Sequence, residues 1–78
     1  MTLEIISSSE VMFTGEVTSV TLPGLMGSFT VLKNHASLIS VLVKGRLRYR
    51  TPDSREEEME IKGGLADIDN NKIAVCIY

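Results

Sequence analysis

Residues 45–61 have the sequence GRLRYRTPDSREEEMEI, in which polar and apolar side chains alternate on both sides of a short polar break. An alternation with a period of two is typical of a β-strand that buries one face. If residues 51–55 form a hairpin loop, Arg46 faces Glu60, Arg48 faces Glu58 and Arg50 faces Glu56. Each such cross-strand pair contributes about 0.2–1 kcal/mol. The segment therefore predicts an antiparallel hairpin with a solvated, ion-paired face.

The chain on both sides of this hairpin consists of short alternating runs separated by turn residues, which predicts strands rather than helices. Strands are predicted at residues 3–5, 11–14, 17–22, 28–32, 38–43 and 73–77, with Gly15 as a break or bulge. Turns are predicted at Pro23-Gly24, at the corner Lys33-Asn34-His35, at Gly63-Gly64 and at residues 69–72, where Asn70 and Asn71 tolerate positive φ. Roughly nine or ten such strands predict an all-β domain, either a β-sandwich or a flattened barrel.

The strand at residues 38–43 is apolar on both faces. Such a strand either lies between two layers or exposes one apolar face to a partner, and the sequence leaves both alternatives open.

Length and charge exclude several classes of function. The 78 residues predict one domain, residues 1–78, and the net charge of −2 gives no field that would attract nucleic acid. No segment approaches the roughly 20 apolar residues of a membrane span, so no direct membrane insertion is expected. A single cysteine, Cys76, excludes an internal disulfide and favours a reducing, cytoplasmic environment.

Few residues could carry chemistry. His35 is the only histidine and is interpreted as a polar loop residue, with a specific partner contact as the alternative. Cys76, in an alternating strand, is interpreted as a small buried hydrophobic residue. The glycines of residues 24–27 lack the Gly-Lys-Ser/Thr ending of a phosphate loop. No catalytic residue, cofactor, metal or nucleotide is therefore expected.

Several ordered motifs resemble the epsilon subunit of the F-type, rotary ATP synthase. They are EVMFTGEVTSVTLPG at residues 10–24, GSFTVL at 27–32, HASLI at 35–39, GRLR at 45–48, KGGLADI at 62–68 and NKIAV at 71–75. The resemblance covers practically the whole chain. It implies a ten-stranded β-sandwich of two five-stranded sheets that binds the gamma subunit and rests on the polar loops of the c-ring. The implied role is that of a non-catalytic rotor subunit, peripheral to the cytoplasmic face of a bacterial inner membrane, which couples ion transport to ATP synthesis.

The resemblance and the loop positions together predict two contact surfaces. The c-ring contact is predicted at one end of the sandwich, formed by the turn Gly24, Leu25, Met26, Gly27 and Ser28 with the corner Asn34 and His35, away from the 51–55 loop. The gamma-subunit contact is predicted at Met12, Ile39 and Val41, because the apolar residues exceed the needs of one thin core.

The sequence departs from the family pattern in three places. It ends at Tyr78, where many members continue into two helices that brake ATP hydrolysis or sense ATP, so no ATP sensing by this chain is expected. Ser28 stands where the family often has an acidic residue. Lys33-Asn34 and Ser37 replace a frequent Pro-Gly and Pro around the corner, which predicts a less rigid corner.

Two other classes of function are possible for such a domain. A free-standing binding module has support from the fold class alone, and the two Phe, two Tyr and absent Trp argue against stacking on sugars or bases. A small hydrolase or redox enzyme would need His35 and Cys76 to converge in one pocket.

Overall fold

Nine β-strands and no helix make up the chain in a computed structural model that describes residues 1–78. The chain forms no helix with the length and hydropathy that crossing a bilayer requires. The strands are β1 (Thr2–Ile6), β2 (Val11–Glu16), β3 (Ser19–Gly24), β4 (Gly27–Leu32), β5 (Leu38–Leu42), β6 (Gly45–Arg50), β7 (Glu56–Ile61), β8 (Gly64–Asp69) and β9 (Lys72–Ile77).

The strands form one hydrogen-bonded sheet that folds into two layers. The first layer has the order β2-β1-β9-β8-β5, and the second has the order β4-β3-β6-β7. A single ladder pair, Gly24 with Leu42, joins the two layers. The predicted β-sandwich is confirmed, but the second layer has four strands instead of five. Residues 33–37, between β4 and β5, make no ladder pair and form a turn and a connection.

The core lies between the two layers and contains thirteen buried apolar residues and no buried polar one. Every strand except β2 contributes, as in the alternating pairs Leu3 and Ile5 of β1 and Val20 and Leu22 of β3. Burying such a side chain completely contributes about 1.5–3 kcal/mol. This alternation explains why the sequence forms a sandwich, since each strand has one face to cover.

Two aromatic rings close the core at the edge where β2 lies over β6. The rings of Phe13 and Tyr49 stack with their centroids 4.4 Å apart. Burial, and then the charge of Glu57, raises the pKa of Tyr49. Gly15 belongs to this arrangement, because a Cβ atom there would lie 3.1 Å from the Phe13 ring. The predicted break at Gly15 is therefore wrong: the residue pairs with Leu3, and the irregularity of β2 lies at Met12.

The predicted hairpin is confirmed in register, with Arg46 opposite Glu60, Arg48 opposite Glu58 and Arg50 opposite Glu56. Not all of the three opposed Arg–Glu pairs form ion pairs. Arg50 contacts Glu56 at 3.0 Å, whereas Arg46 contacts the diagonal Glu58 at 3.0 Å more closely than Glu60 at 3.9 Å. Arg48 forms no ion pair.

The turn between β8 and β9 has the predicted conformation. Asn70 and Asn71 have φ values of 53° and 63°, as a two-residue hairpin turn of type I′ requires. Gly63 and Gly64, before β8, also have positive φ. Both turn predictions are confirmed. The turn predicted at Pro23-Gly24 is wrong, because these residues pair with Ser28 and Gly27 as the end of β3, and the turn lies at residues 25–26.

Candidate protein-interaction surfaces

Paired residues on neighbouring strands point to the same side of a sheet, so the ladder registers define rows across the outer face of the five-stranded layer. One row is apolar on all five strands. This apolar row consists of Val41 on β5, Leu65 on β8, Cys76 on β9, Ile6 on β1, and Val11 with Met12 on β2. It spans about 19 Å, given strand spacings near 4.8 Å.

The side chains of the apolar row remain largely exposed to solvent, so they do not contribute to the core. Val41 and Leu65 retain 49% and 51% of their accessible surface, and Val11 retains 56%. A β-bulge opposite Ile6 adds Met12, which is 45% exposed. Since extended exposed apolar patches on soluble domains mark interaction sites, this row is the strongest candidate interface of the molecule.

The two rows of outward-facing residues beside the apolar row contain more charged side chains than the apolar row does. The next row contains Ile39, Asp67, Ala74, Glu4 and Thr14, and the row after it contains Asp69, Lys72, Thr2 and Glu16. The face thus carries four carboxylates and one lysine. Glu4 and Asp67, in the row nearest the apolar one, form no ion pair within the chain.

Glu16 is held by local contacts at the acidic end of this face. Its carboxylate accepts a hydrogen bond from Thr2 Oγ1 at 3.0 Å and lies 3.3 Å from the amino group of Met1. The hydrogen bond from Thr2, and then the amino group, lower the pKa of Glu16 below its ordinary value of 4.5.

The β3–β4 turn projects an apolar tip beside the apolar row. Leu25 and Met26 are 63% and 97% exposed. Two backbone hydrogen bonds fix the turn against β5 and its following residue, from Leu25 N to Val41 O and from Val43 N to Pro23 O, both at 2.9 Å. The turn and β5 together line a surface groove, which includes Leu25, Phe29, Ile39 and Val41. The structure thus brings part of the predicted ring contact beside two predicted gamma contacts.

The corner between β4 and β5 lies far from that turn. Asn34 and His35 follow the last residue of β4, whereas the turn precedes its first residue, and six residues of strand span about 20 Å. The prediction that turn and corner share one end of the sandwich is therefore wrong. The physical reason is the pairing of Ser19 with both Leu32 and Arg50, which places the corner at the same end as the 51–55 loop.

The turn and the corner instead flank a single edge strand. β4 pairs only with β3, so its other edge is uncovered. Ser28 and Thr30 are exposed along it, and Leu32 is 58% exposed. We call β4, with residues 24–28 before and around its start and residues 33–35 after it, the β4 edge.

His35 and Cys76 do not converge. The His35 corner contacts Asn71, just before β9, while Cys76 lies near the other end of that strand, about 17 Å along it. No group of three His, Cys, Asp or Glu side chains could hold a metal ion. The prediction that Cys76 is buried is wrong, because Ile73 and Val75 take the inward positions of β9 and the alternation turns Cys76 outward.

Sequence reasoning placed Met12, Ile39 and Val41 on an exposed apolar face, and all three are exposed there. It missed the other members of the apolar row, Ile6, Val11, Leu65 and Cys76. The period of two identifies Leu65 and Cys76 as outward once their buried neighbours are known. It does not show that the five strands align them in one row, because that depends on the register of pairing.

Comparison with known proteins agrees with this fold. The family model for the ATP synthase delta/epsilon chain β-sandwich domain matches residues 1–77. The chain is 40% identical over 70 residues to the ATP synthase epsilon chain of Chlorobium limicola, covering 90% of this chain and 80% of the relative. It is 44% identical over 72 residues to the epsilon chain of Campylobacter jejuni, covering 92% of this chain and 56% of the relative.

Two solved structures share the fold at low sequence identity. A chain of the Euglena gracilis mitochondrial ATP synthase, in a complex of OSCP, F1 and c-ring, has a TM-score of 0.90 and 21% identity, and the match covers 96% of this chain and 48% of the other. A chain of the Tetrahymena thermophila mitochondrial ATP synthase central stalk and c-ring has a TM-score of 0.83 and 12% identity, with 97% and 61% covered. This chain spans only part of both.

Proposed function

Because this chain belongs to the delta/epsilon β-sandwich family of ATP synthase, as an epsilon chain, we propose that it is a non-catalytic central-stalk subunit that links the gamma subunit to the c-ring. In this role it couples ion transport to ATP synthesis and lies peripherally at the cytoplasmic face of a bacterial membrane. The observation that carries the proposal is the apolar row, because it leaves a long exposed apolar strip on a domain whose core is already filled.

The gamma subunit is proposed to cover the outer face of the five-stranded layer. Met12 and Val41 mark the two ends of the apolar row, and Ile39 extends it along β5. Glu4 and Asp67 have no cationic partner in this chain, so the partner surface is expected to carry an apolar strip flanked by lysine or arginine. The chemistry of ATP synthesis then belongs to other subunits.

A charge in the middle of the apolar row tests this contact. Leu65→Glu places a carboxylate on β8 at the centre of the row, and it should weaken gamma binding about tenfold or more, equivalent to about 1.4 kcal/mol. Thr30→Glu adds the same charge to an exposed strand of the other layer and should leave gamma binding unchanged. Affinity is measured by calorimetry and folding by circular dichroism. Equal binding by both variants would refute the proposed face, and unfolding of Leu65→Glu alone would make Leu65 a core residue.

The c-ring is proposed to contact the β4 edge rather than an end of the sandwich. This edge carries all the residues assigned to the ring, from Gly24, Leu25, Met26, Gly27 and Ser28 to Asn34 and His35. Ser28 offers a hydroxyl group instead of a charge, so this contact should depend on shape and neutral hydrogen bonds and respond weakly to salt.

Crosslinking in the assembled enzyme distinguishes the edge from the end. Cysteines at Ser28 and at His35 should both crosslink to cysteines in the polar loops of the ring, in a Cys76→Ser background that removes the exposed native thiol. Asp53→Cys, in the 51–55 loop, is the control and should crosslink poorly. If Asp53 and His35 crosslinked and Ser28 did not, the end of the sandwich would face the ring. Absence of all three crosslinks would refute ring contact.

A further inference from the structure

The corner between β4 and β5 is hydrogen-bonded to the β8–β9 turn through two asparagines. The backbone amide of Asn34 donates to Asn71 Oδ1 at 2.7 Å, and Asn71 Nδ2 donates to Asn34 Oδ1 at 3.3 Å. Both residues have positive φ, 66° and 63°. Both hydrogen bonds use the side-chain amide of Asn71, one with the backbone and one with the side chain of Asn34, and we call this pair the asparagine clamp.

Three further hydrogen bonds order the same corner. Ser37 Oγ donates to Asp69 Oδ1 at 2.6 Å, which is a second contact between corner and turn. His35 N donates to Leu32 O at 3.1 Å, and His35 Nδ1 lies 2.7 Å from Ala36 O. Since a carbonyl oxygen only accepts, Nδ1 is the donor in this contact, which fixes the orientation of the ring.

The clamp connects the two layers of the sandwich. The corner continues from β4 of the four-stranded layer, and the turn belongs to β8 and β9 of the five-stranded layer. The ladder pair that joins the layers, Gly24 with Leu42, lies at the other end of β4. Without the clamp, Asn34 and His35 would have no hydrogen bond to the turn, and the remaining link between corner and turn would be the one from Ser37 to Asp69.

We propose that Asn71 is a positioning residue that holds His35 in place on the β4 edge by way of Asn34. The corner and the β8–β9 turn then act as one contact unit, held together by side-chain hydrogen bonds. This proposal rests on the proposed ring contact for its function, but the clamp itself can be tested in the isolated chain.

Asn71→Gly is the test variant, because Asn-Gly is a favoured pair for a type I′ turn. The turn is therefore kept while both clamp hydrogen bonds are lost. Asn71→Asp retains an acceptor for the Asn34 amide, and Asn70→Gly is the matched control, since the Asn70 side chain makes no hydrogen bond across to the corner.

Backbone ¹⁵N relaxation of the isolated chain gives the first readout. The order parameters of Asn34 and His35 should fall from about 0.85 to about 0.6 or below in Asn71→Gly. They should stay near the wild-type value in Asn70→Gly and in Asn71→Asp. Unchanged order in Asn71→Gly would overturn the clamp.

Crosslinking to the ring gives the second readout. With Asn71→Gly, the yield from His35→Cys should fall several-fold, whereas the yield from Ser28→Cys, at the other end of β4, should not change. Loss of order with an unchanged His35→Cys yield would overturn the positioning role. If His35→Cys failed to crosslink even with Asn71 intact, the proposed ring contact at the corner would be refuted, whatever the relaxation result.

Discussion

At Gly64 the backbone passes so close to β9 that a Cβ atom would overlap the carbonyl oxygen of Cys76, and φ is 156°. Gly27 has a φ of 125°, but its corresponding position is open space. We expect Gly64→Ala to lower the free energy of unfolding by about 3 kcal/mol or more, since strain and a backbone overlap add. Gly27→Ala should cost only the strain, about 1–3 kcal/mol. Urea denaturation measures both, and equal losses would contradict the steric explanation.

Glu16 gives the domain a pH dependence of known sign. Its pKa is lowered in the folded chain, mainly by the hydrogen bond from Thr2, so folding favours the carboxylate. The stabilisation is therefore complete above the ordinary pKa of 4.5 and is lost as the pH falls through the lower, folded value. Thr2→Val should lower the urea midpoint at pH 7, and this effect should decrease as the pH falls from 4.5 through the lower, folded pKa of Glu16. A difference that stayed constant with pH would contradict this linkage.

At the scale of elements, the β6–β7 hairpin makes one close ion pair between directly opposed residues and leaves another opposed pair without contact. A double-mutant cycle to alanine at Arg50 and Glu56 should give a coupling of about 0.2–1 kcal/mol that shrinks at high salt. The same cycle at Arg48 and Glu58 should give a coupling near zero, because Arg48 forms no ion pair. Equal coupling energies in the two cycles would show that opposition in the ladder, and not a close ion pair, determines the coupling.

Most of the strands and turns could be predicted from the sequence, but the pairing of strands that are distant in the sequence could not. Period-two alternation and turn residues are local, so they placed most of the strands, the register of the β6–β7 hairpin and the Asn70-Asn71 turn correctly. Glycine and proline misled at Gly15 and at Pro23-Gly24, which lie within paired strands. The end of the sandwich at which a loop lies depends on pairing between distant strands, such as Ser19 with Arg50. For the same reason the sequence indicated single exposed apolar residues such as Ile39, but it did not show that such residues on five strands align in one row.

At the scale of the whole molecule, a 78-residue chain with a thirteen-residue core leaves little stability in reserve. Binding to the folded state alone adds about 2.7 kcal/mol when the partner is at 100 times its Kd. For a domain of this size, that raises Tm by roughly 10–20 °C. Calorimetric scans should show this rise with gamma, and Leu65→Glu should lose most of it while melting normally alone. An equal rise in the variant would mean that gamma binds elsewhere.

The single ladder pair between Gly24 and Leu42 has a mechanical consequence. In the proposed assembly the ring grips the β4 edge of one layer and gamma covers the outer face of the other, so torque must cross from layer to layer. The two backbone hydrogen bonds beside this pair, the asparagine clamp and the hydrogen bond from Ser37 to Asp69 resist that shear directly. The remaining stress passes through interlocked side chains of the core, whose close packing gives low compressibility. A cavity there, as in Leu47→Ala, would therefore soften the transmission as well as destabilise the fold.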